Sequence, residues 1–143
     1  MDDNADLRAI EEIKQLKARY FQHIDFKQWD DYAGLFTDDL VVYGEDDQVT
    51  TRGGPTFAAN VRAFLDTSVT IHQGYLPRIE ILDPTTARGL WAMHDIITWE
   101  NGAPGSGLKR MEGWGHYHES YRKEPDGWRI SSLKLTRLKV ETE

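Results

Sequence analysis

A histidine with space beside it is the first residue that could do chemistry. His72 lies in the segment TIHQGYLPRIEI, whose alternation of apolar and polar residues is typical of a β-strand. The alternation puts its imidazole on one face with Thr70, Gly74 and Leu76, and Gly74 leaves room for a ligand to approach. Because imidazole exchanges protons near neutral pH, His72 is a candidate general base. The alternative is a core histidine bonded to a backbone carbonyl.

A carboxylate on an apolar strand face is the second candidate. In the next strand Asp95 alternates with small and apolar residues, namely Ala87, Gly89, Trp91, Met93, Ile97 and Trp99. Its neighbour His94 must then point to the opposite face. A buried carboxyl group has to be paired or neutralised, so Asp95 is either a functional acid or an aspartate satisfied by a backbone group or an arginine.

Asp25, near the end of the first predicted helix, has two interpretations. As a structural residue it is the N-cap of the second helix, with Gln28 three residues later as in a capping box. As a functional residue it orients a base deeper in the pocket. Tyr20 lies about 140° from Asp25 around an ideal helix, so both line one cavity only if the chain bends between them. Otherwise Tyr20 is a core tyrosine with its hydroxyl at the surface.

The third long strand also carries a candidate face. That face comprises Met111, Gly113, Gly115, Tyr117 and Glu119, and its two glycines before a phenol suggest a hollow. The other face carries His116 and His118, which could bind a metal ion. Since no third ligand occurs at a recognisable spacing, a solvated or helix-covered pair is favoured.

The elements that must position these residues follow from periodicity. Helical spacing predicts an amphipathic helix from about Ala5 to His23, with Lys17 on its exposed side. Further patterns predict a helix in KQWDDYAGLF, a strand in TDDLVVYGE, a helix in PTFAANVRAFLD, and four long strands at about 69–82, 86–100, 109–123 and 127–140. Helices followed by a long antiparallel meander indicate an α+β fold in which a curved sheet wraps the helices and leaves a pocket.

Composition limits the function classes. The chain has 143 residues, enough for one domain, with five Trp, six Tyr and five Phe as in ordinary globular proteins. The absence of cysteine excludes disulfides, thiolate metal sites and cysteine nucleophiles. The net charge of −7 argues against nucleic-acid binding. The acidic amino terminus and the lack of a long apolar run predict a cytoplasmic protein that does not enter the membrane.

Three segments of the sequence are similar to a known family. RYFQHIDFKQWDDYAGLFTDDLVVY, TIHQG and HYHESYRKEPDGWRISSLKLT resemble the SnoaL-like group of the nuclear-transport-factor-2-like superfamily, and the similarity covers nearly the whole chain. The resemblance implies a single domain over residues 1–143. Its fold would be a cystatin-like α+β cone, with three amino-terminal helices packed in a strongly curved, mixed, mostly antiparallel sheet around a pocket.

Members of this superfamily suggest site residues. The likeness to scytalone dehydratase maps a catalytic carboxylate, a pocket tyrosine and a histidine onto Asp25, Tyr43 and His72, while its second catalytic histidine falls near Ile97 and is missing. Hexachlorocyclohexane dehydrochlorinase looks similar through the same His and Asp dyad. That enzyme has a lysine where this chain has Tyr20.

Bile-acid 7α-dehydratase resembles the chain most in its site chemistry. Its tyrosine and aspartate five residues apart correspond to Tyr20 and Asp25, and its histidine and aspartate 23 residues apart correspond to His72 and Asp95. Strand alternation independently predicts that Asp95 faces inward.

The resemblance implies a cofactor-independent lyase that eliminates water next to a carbonyl. His72 would be the base, oriented by Asp25, with Tyr20 and Tyr43 donating to the substrate oxygen and a protonated Asp95 supplying a proton. The candidate substrate-binding residues are Trp91, Trp99, Tyr117, Gly115, Phe57 and Arg137. This lining suits a hydrophobic polycyclic substrate of steroid or polyketide type.

Two other functions use the same scaffold. One is a ketosteroid-isomerase-like enzyme that moves a double bond, and the other is a non-catalytic binding or assembly module. The partly polar outer face of the sheet predicts burial against another subunit, and the family resemblance implies a dimer or trimer. No metal or organic cofactor is required by the proposed chemistry.

Overall fold

The computed structural model describes residues 3–143, which form three helices and six strands. In chain order these are α1 (Asp3–Asp25), α2 (Trp29–Ala33), β1 (Phe36–Tyr43), β2 (Val49–Arg52), α3 (Gly54–Leu65), β3 (Val69–Asp83), β4 (Thr86–Thr98), β5 (Arg110–Glu124) and β6 (Gly127–Thr142). The four long strands agree with the periodicity, whereas the short β2 was not predicted. No helix in the described part of the chain is long and apolar enough to cross a bilayer.

The six strands form one mixed sheet in the order β2-β1-β6-β5-β4-β3. The hairpin pairs are antiparallel, and β1 runs parallel to β6. Register shifts between Trp114 and Gly115 and between Ser120 and Tyr121 mark bulges in the β5–β6 ladder. Such bulges bend a sheet, so they help to curve it around the helices. The predicted α+β fold with three helices and a mostly antiparallel mixed sheet is therefore confirmed.

Helix α1 supplies the central stripe of the core. Ile13, Leu16, Tyr20 and Ile24 are buried at the predicted helical spacing. Lys17 is buried as well, with no exposed surface, so the expectation that it is solvated is wrong. Its ammonium forms an ion pair with Glu119 of β5, a partner that lies far away in the sequence.

The junction between α1 and α2 decides between the two interpretations of Asp25. Helix α1 continues to Asp25, and the N-cap of α2 is Gln28, which makes no side-chain capping bond. The side-chain amide oxygen of Gln28 instead lies 2.8 Å from Nδ1 of His23. The carboxylate of Asp25 bonds to strand β3 (below), so the interpretation of Asp25 as a helix cap is wrong.

Candidate active site

The side chains of Asp25 and His72 meet where the end of α1 crosses the start of β3. Nδ1 of His72 lies 2.8 Å from Oδ1 of Asp25, and the backbone N–H of His72 donates to Oδ2 at 3.0 Å. A carboxylate only accepts, so Nδ1 carries a proton, and Nε2 is the nitrogen that can accept one. Within residues 3–143 no protein group bonds to Nε2. The pair is thus arranged as a base and the carboxylate that orients it.

Two further residues surround this carboxylate. The hydroxyl of Thr70 donates to Oδ1 of Asp25 at 2.8 Å, and Nζ of Lys27 donates to that hydroxyl at 3.1 Å. Burial alone would raise the pKa of Asp25, but the hydrogen bonds from the His72 ring, the His72 backbone and Thr70 outweigh it and lower the pKa below its usual value. Asp25 is therefore held as an anion.

Asp95 stands beside His72 on the inner face of the sheet. The two residues are paired across β3 and β4, and Asp95 is only 3% exposed. Alternation predicted this placement. The guanidinium of Arg137 binds the carboxylate through both oxygens, at 2.7 and 3.0 Å. Burial would lower the pKa of Arg137, yet the bonds to Asp95 raise it above its ordinary value. This two-pronged ion pair favours ionised Asp95 and does not suit the expected protonated acid.

The space beside the glycines that were expected to form a hollow is occupied by atoms of neighbouring residues. A Cβ on Gly74 would lie 2.6 Å from the ring of Phe21, and one on Gly113 would lie 2.3 Å from Nη1 of Arg137. A Cβ on Gly115 would lie 1.9 Å from the carbonyl oxygen of Thr136, because β6 bulges against β5 at this point. These glycines make room for protein atoms, so Gly115 has a packing role where substrate contact was expected.

The predicted tyrosines lie apart from the dyad. Tyr20 is 4% exposed, and because α1 continues without a break to Asp25, the two residues point to different sides of the helix. Its ring packs against that of Tyr117, and Nζ of Lys17 lies over both rings at 3.7 and 3.6 Å from their centroids. Burial raises the pKa of both tyrosines well above the usual value. No hydrogen bond joins Tyr20 to Asp25 or His72.

Tyr43 lies on the opposite face of the sheet. Its neighbours Leu40 and Val42 are buried, so alternation turns Tyr43 outward. There it lines a cavity of about 900 Å³ together with residues that include Arg78, Leu90, His118 and Lys134. The expected meeting of Tyr43 with His72 therefore does not occur.

The expected aromatic lining belongs to the core. Trp91 donates its indole N–H to the Tyr121 hydroxyl at 2.9 Å, and Trp99 donates to the Phe64 carbonyl at 3.1 Å. Phe57 packs edge-on against Phe36, with ring centroids 5.3 Å apart. The ring of Phe21 lies nearly parallel to the imidazole of His72, with ring centroids 6.3 Å apart. The interior near His72 is thus more closely packed than the sequence predicted.

The outer-face histidines do not form a metal site. His94 points outward as predicted, where it stacks on Trp114 with centroids 5.0 Å apart and bonds to Glu112 at 2.7 Å. His118 bonds to the hydroxyl of Thr136. Among the residues that the structure describes, no group of three or more His, Asp or Glu is placed to hold a metal ion.

Sequence reasoning missed part of the interior polar network. Lys17 and Glu119 form a buried ion pair, and Glu119 also accepts from the Tyr121 hydroxyl at 2.7 Å. Burial lowers the pKa of Lys17 to about 8, although Glu119 acts in the opposite direction. Lys27 was also missed. The helical spacing of Lys17 with Ile13 and Tyr20 is the one signal that could have indicated its burial.

The family of the chain follows from its sequence and its structure together. The SnoaL-like domain model matches residues 5–134. The probable cyclase FGR4 of Gibberella zeae is 27% identical over 137 residues, covering 88% of this chain and 89% of that protein.

Two solved structures share the fold. A provisionally named scytalone dehydratase from Novosphingobium aromaticivorans superimposes with a TM-score of 0.84 at 16% identity, over 99% of this chain and 92% of the other. A hexachlorocyclohexane dehydrochlorinase, LinA type 2, superimposes with a TM-score of 0.78 at 17% identity, over 99% of this chain and 93% of the other. The match of the domain model over residues 5–134 shows that the chain belongs to the SnoaL-like domain family, and its three helices and six-stranded mixed sheet form a nuclear-transport-factor-2-like fold.

Proposed function

We propose that the protein is a cofactor-independent lyase that removes water next to a carbonyl of a hydrophobic polycyclic substrate. The observation that carries the proposal is the His72–Asp25 pair, in which a buried imidazole is fixed through Nδ1 and its Nε2 has no hydrogen-bond partner among the described residues. Dehydratases and dehydrochlorinases with the same fold, and a probable cyclase that is 27% identical, support a lyase in a general way.

The proposed chemistry is divided between the His72–Asp25 pair and the Arg137–Asp95 pair. Nε2 of His72 takes the proton from the carbon next to the carbonyl, and Asp25 stabilises the imidazolium that forms. Arg137 can stabilise the negative enolate oxygen, and its guanidinium is held by Asp95, the cross-strand neighbour of His72. The imidazolium then returns the proton to the departing hydroxyl, which leaves as water. In this scheme Asp95 is a positioning residue, and neither Tyr20 nor Tyr43 takes part.

The likeness to bile-acid 7α-dehydratase motivates the substrate class. The match consists of the spacings between Tyr20 and Asp25 and between His72 and Asp95. A hydroxylated 3-keto steroid or a related cyclic hydroxy-ketone is therefore the substrate class to test. Because Phe21 packs over His72, such a substrate has to displace that ring or enter beside it.

The test is turnover of such a hydroxy-ketone with product analysis by mass spectrometry. We expect loss of one water with the wild type and no turnover with His72→Ala. His116→Gln, on the outer face, is the matched control and should retain activity. Equal turnover by His72→Ala would refute the mechanism.

Two alternatives have distinct outcomes in the same experiment. A product of unchanged mass with a moved double bond would indicate an isomerase. Binding without turnover would indicate a non-catalytic module, which the close packing of Phe21, Trp91 and Met93 around the site favours. Self-association stays a prediction, and sedimentation velocity of the purified protein would test it.

A further inference from the structure

We propose that Thr70 and Lys27 are positioning residues, which keep the Asp25 carboxylate anionic and turned towards Nδ1 of His72. The inference rests on the proposed function, in which His72 is the base. It concerns two residues that never touch the reacting atoms and that act through Asp25.

The direction of the hydrogen bonds is fixed by their chemistry. An ammonium group only donates, so Lys27 must donate to Oγ1 of Thr70, at 3.1 Å. The single hydroxyl proton of Thr70 is then directed to Oδ1 of Asp25, at 2.8 Å. Lys27 therefore determines which way the Thr70 hydroxyl points, and Thr70 determines where Oδ1 sits.

The same carboxylate accepts two bonds from His72. Oδ2 takes the backbone N–H at 3.0 Å, and Oδ1 takes the ring N–H at 2.8 Å. Asp25 thus has three donors from β3, and rotation of its carboxylate would break all three. A carboxylate held in this way requires the Nδ1–H form of the imidazole, which is the form whose Nε2 can take a proton.

The backbone at Lys27 terminates α1, since the N–H of Lys27 donates to the Ile24 carbonyl and the N–H of Gln28 donates to the His23 carbonyl. The φ of Lys27 is 59°, in the left-handed region where glycine or asparagine is usual. A lysine here costs backbone strain, yet this conformation brings Nζ back to the Ile24 carbonyl at 3.2 Å and to Thr70.

The other charged groups around the dyad are paired among themselves. Asp95 and Arg137, from β4 and β6, form one ion pair, and Lys17 and Glu119, from α1 and β5, form another. Asp66, after α3, accepts from the Trp29 indole and contributes charge near Lys27. Lys27 is the cation that reaches Asp25 through a single intervening hydroxyl.

The test uses NMR on the intact protein and needs no substrate. The Asp25 carboxyl carbon is followed from pH 2 to 7, and long-range ¹H–¹⁵N spectra report which nitrogen of His72 carries the proton. Spectra of Asp25→Asn and His72→Gln assign the signals. We expect Thr70→Val and Lys27→Gln to raise the midpoint of the Asp25 titration by about half a pH unit or more. We also expect both variants to reduce the Nδ1–H form.

Conservative variants and a distant lysine serve as controls. Thr70→Ser and Lys27→Arg keep the hydroxyl and the charge, so both should resemble the wild type. Lys14→Gln removes an exposed lysine roughly 16 Å along α1 from Asp25 and should have no effect. If Thr70→Val does not fold, the Lys27→Gln variant alone tests the inference. This variant should fold, because the side chain of Lys27 is only partly buried.

The outcomes separate this inference from the proposed function. An unchanged Asp25 midpoint and an unchanged tautomer in Lys27→Gln would overturn the inference, and so would an equal shift in Lys14→Gln. If His72→Ala keeps full turnover while Lys27→Gln moves both NMR signals, the proposed function fails and the positioning effect stands.

Discussion

His72 and Asp95 are paired across two neighbouring strands, so an imidazole and an arginine-bound carboxylate stand side by side on the inner face of the sheet. Asp25 approaches the same imidazole from the helix end. Three residues that are 47 and 23 positions apart in sequence, at 25, 72 and 95, thereby come together. The roles differ, because one carboxylate bonds to the ring and the other holds Arg137.

Asp25→Asn should lower turnover strongly and should cost only the modest stability that the ionised carboxylate contributes near neutral pH. The amide can donate to Nδ1 and so favour the wrong tautomer of His72, a change that can cost about 10⁴-fold in rate in a comparable triad. Steady-state kinetics with the hydroxy-ketone and thermal unfolding of the same samples would check this. A large fall in the melting temperature with normal turnover would instead make Asp25 structural.

Acid should reveal the same interaction in the stability of the wild type. The folded pKa of Asp25 lies below its usual value of 3.8 because of the bonds from His72 and Thr70. The stabilisation is therefore fully present above the unfolded pKa and is lost as the pH falls through the folded pKa. Urea unfolding from pH 6 to pH 2 should show the wild type losing more stability than Asp25→Asn. Parallel curves for the two proteins would contradict the assignment.

Removal of Arg137 should destabilise the protein by leaving Asp95 buried without a partner. We expect Arg137→Leu to lower the free energy of unfolding by about 1–3 kcal/mol. The exposed pair of Arg88 and Glu80 gives the control, since Arg88→Leu should cost at most about 1 kcal/mol. Asp95→Asn in the Arg137→Leu background should restore part of the loss, because the amide buries no charge. Equal costs for the two arginine variants would refute this account.

Alkaline conditions should report the burial of Lys17. Its folded pKa is about 8, compared with 10.5 for the free side chain, because burial disfavours the ammonium. Between pH 8 and pH 10.5 the unfolded chain binds this proton more tightly than the folded chain does. Folding therefore becomes more favourable as the pH rises from 8 towards 10.5, and this gain is lost as the pH falls back to 8.

The measurement compares the wild type with Lys17→Met by urea unfolding at pH 7, 8, 9 and 9.5. The wild type should gain stability relative to the variant across this range. Lys14→Met, on the exposed side of the same helix, should show no such trend. A constant difference between wild type and Lys17→Met would mean that Lys17 keeps its ordinary titration.

Local patterns predicted the three helices, the four long strands and the faces of those strands. Alternation placed His72 and Asp95 inward and His94 outward, because each strand has enough apolar neighbours to define its buried side. Tyr43 was misplaced because its assignment followed the family resemblance, whereas Leu40 and Val42 determine which face it occupies.

The residues that occupy the space beside a glycine come from elements that are distant in sequence. Gly74 and Gly113 were interpreted as room for a ligand, yet Phe21 of α1 and Arg137 of β6 occupy that room. The Lys17–Glu119 pair spans 102 positions, and the bond from Lys27 to Thr70 spans 43. Single-strand or single-helix periodicity carries no information on such contacts.

The parallel pairing of β1 with β6 has a consequence for how the chain reaches this structure. Strand β1 is the first of the six described strands in chain order, but the edge with which it pairs belongs to β6, the sixth. Until β6 is present, the β1–β2 hairpin and the β3–β5 meander are separate pieces with open edges. Closure of the sheet over so long a chain separation is expected to be slow, and a nascent or truncated chain that lacks β6 should be prone to aggregation.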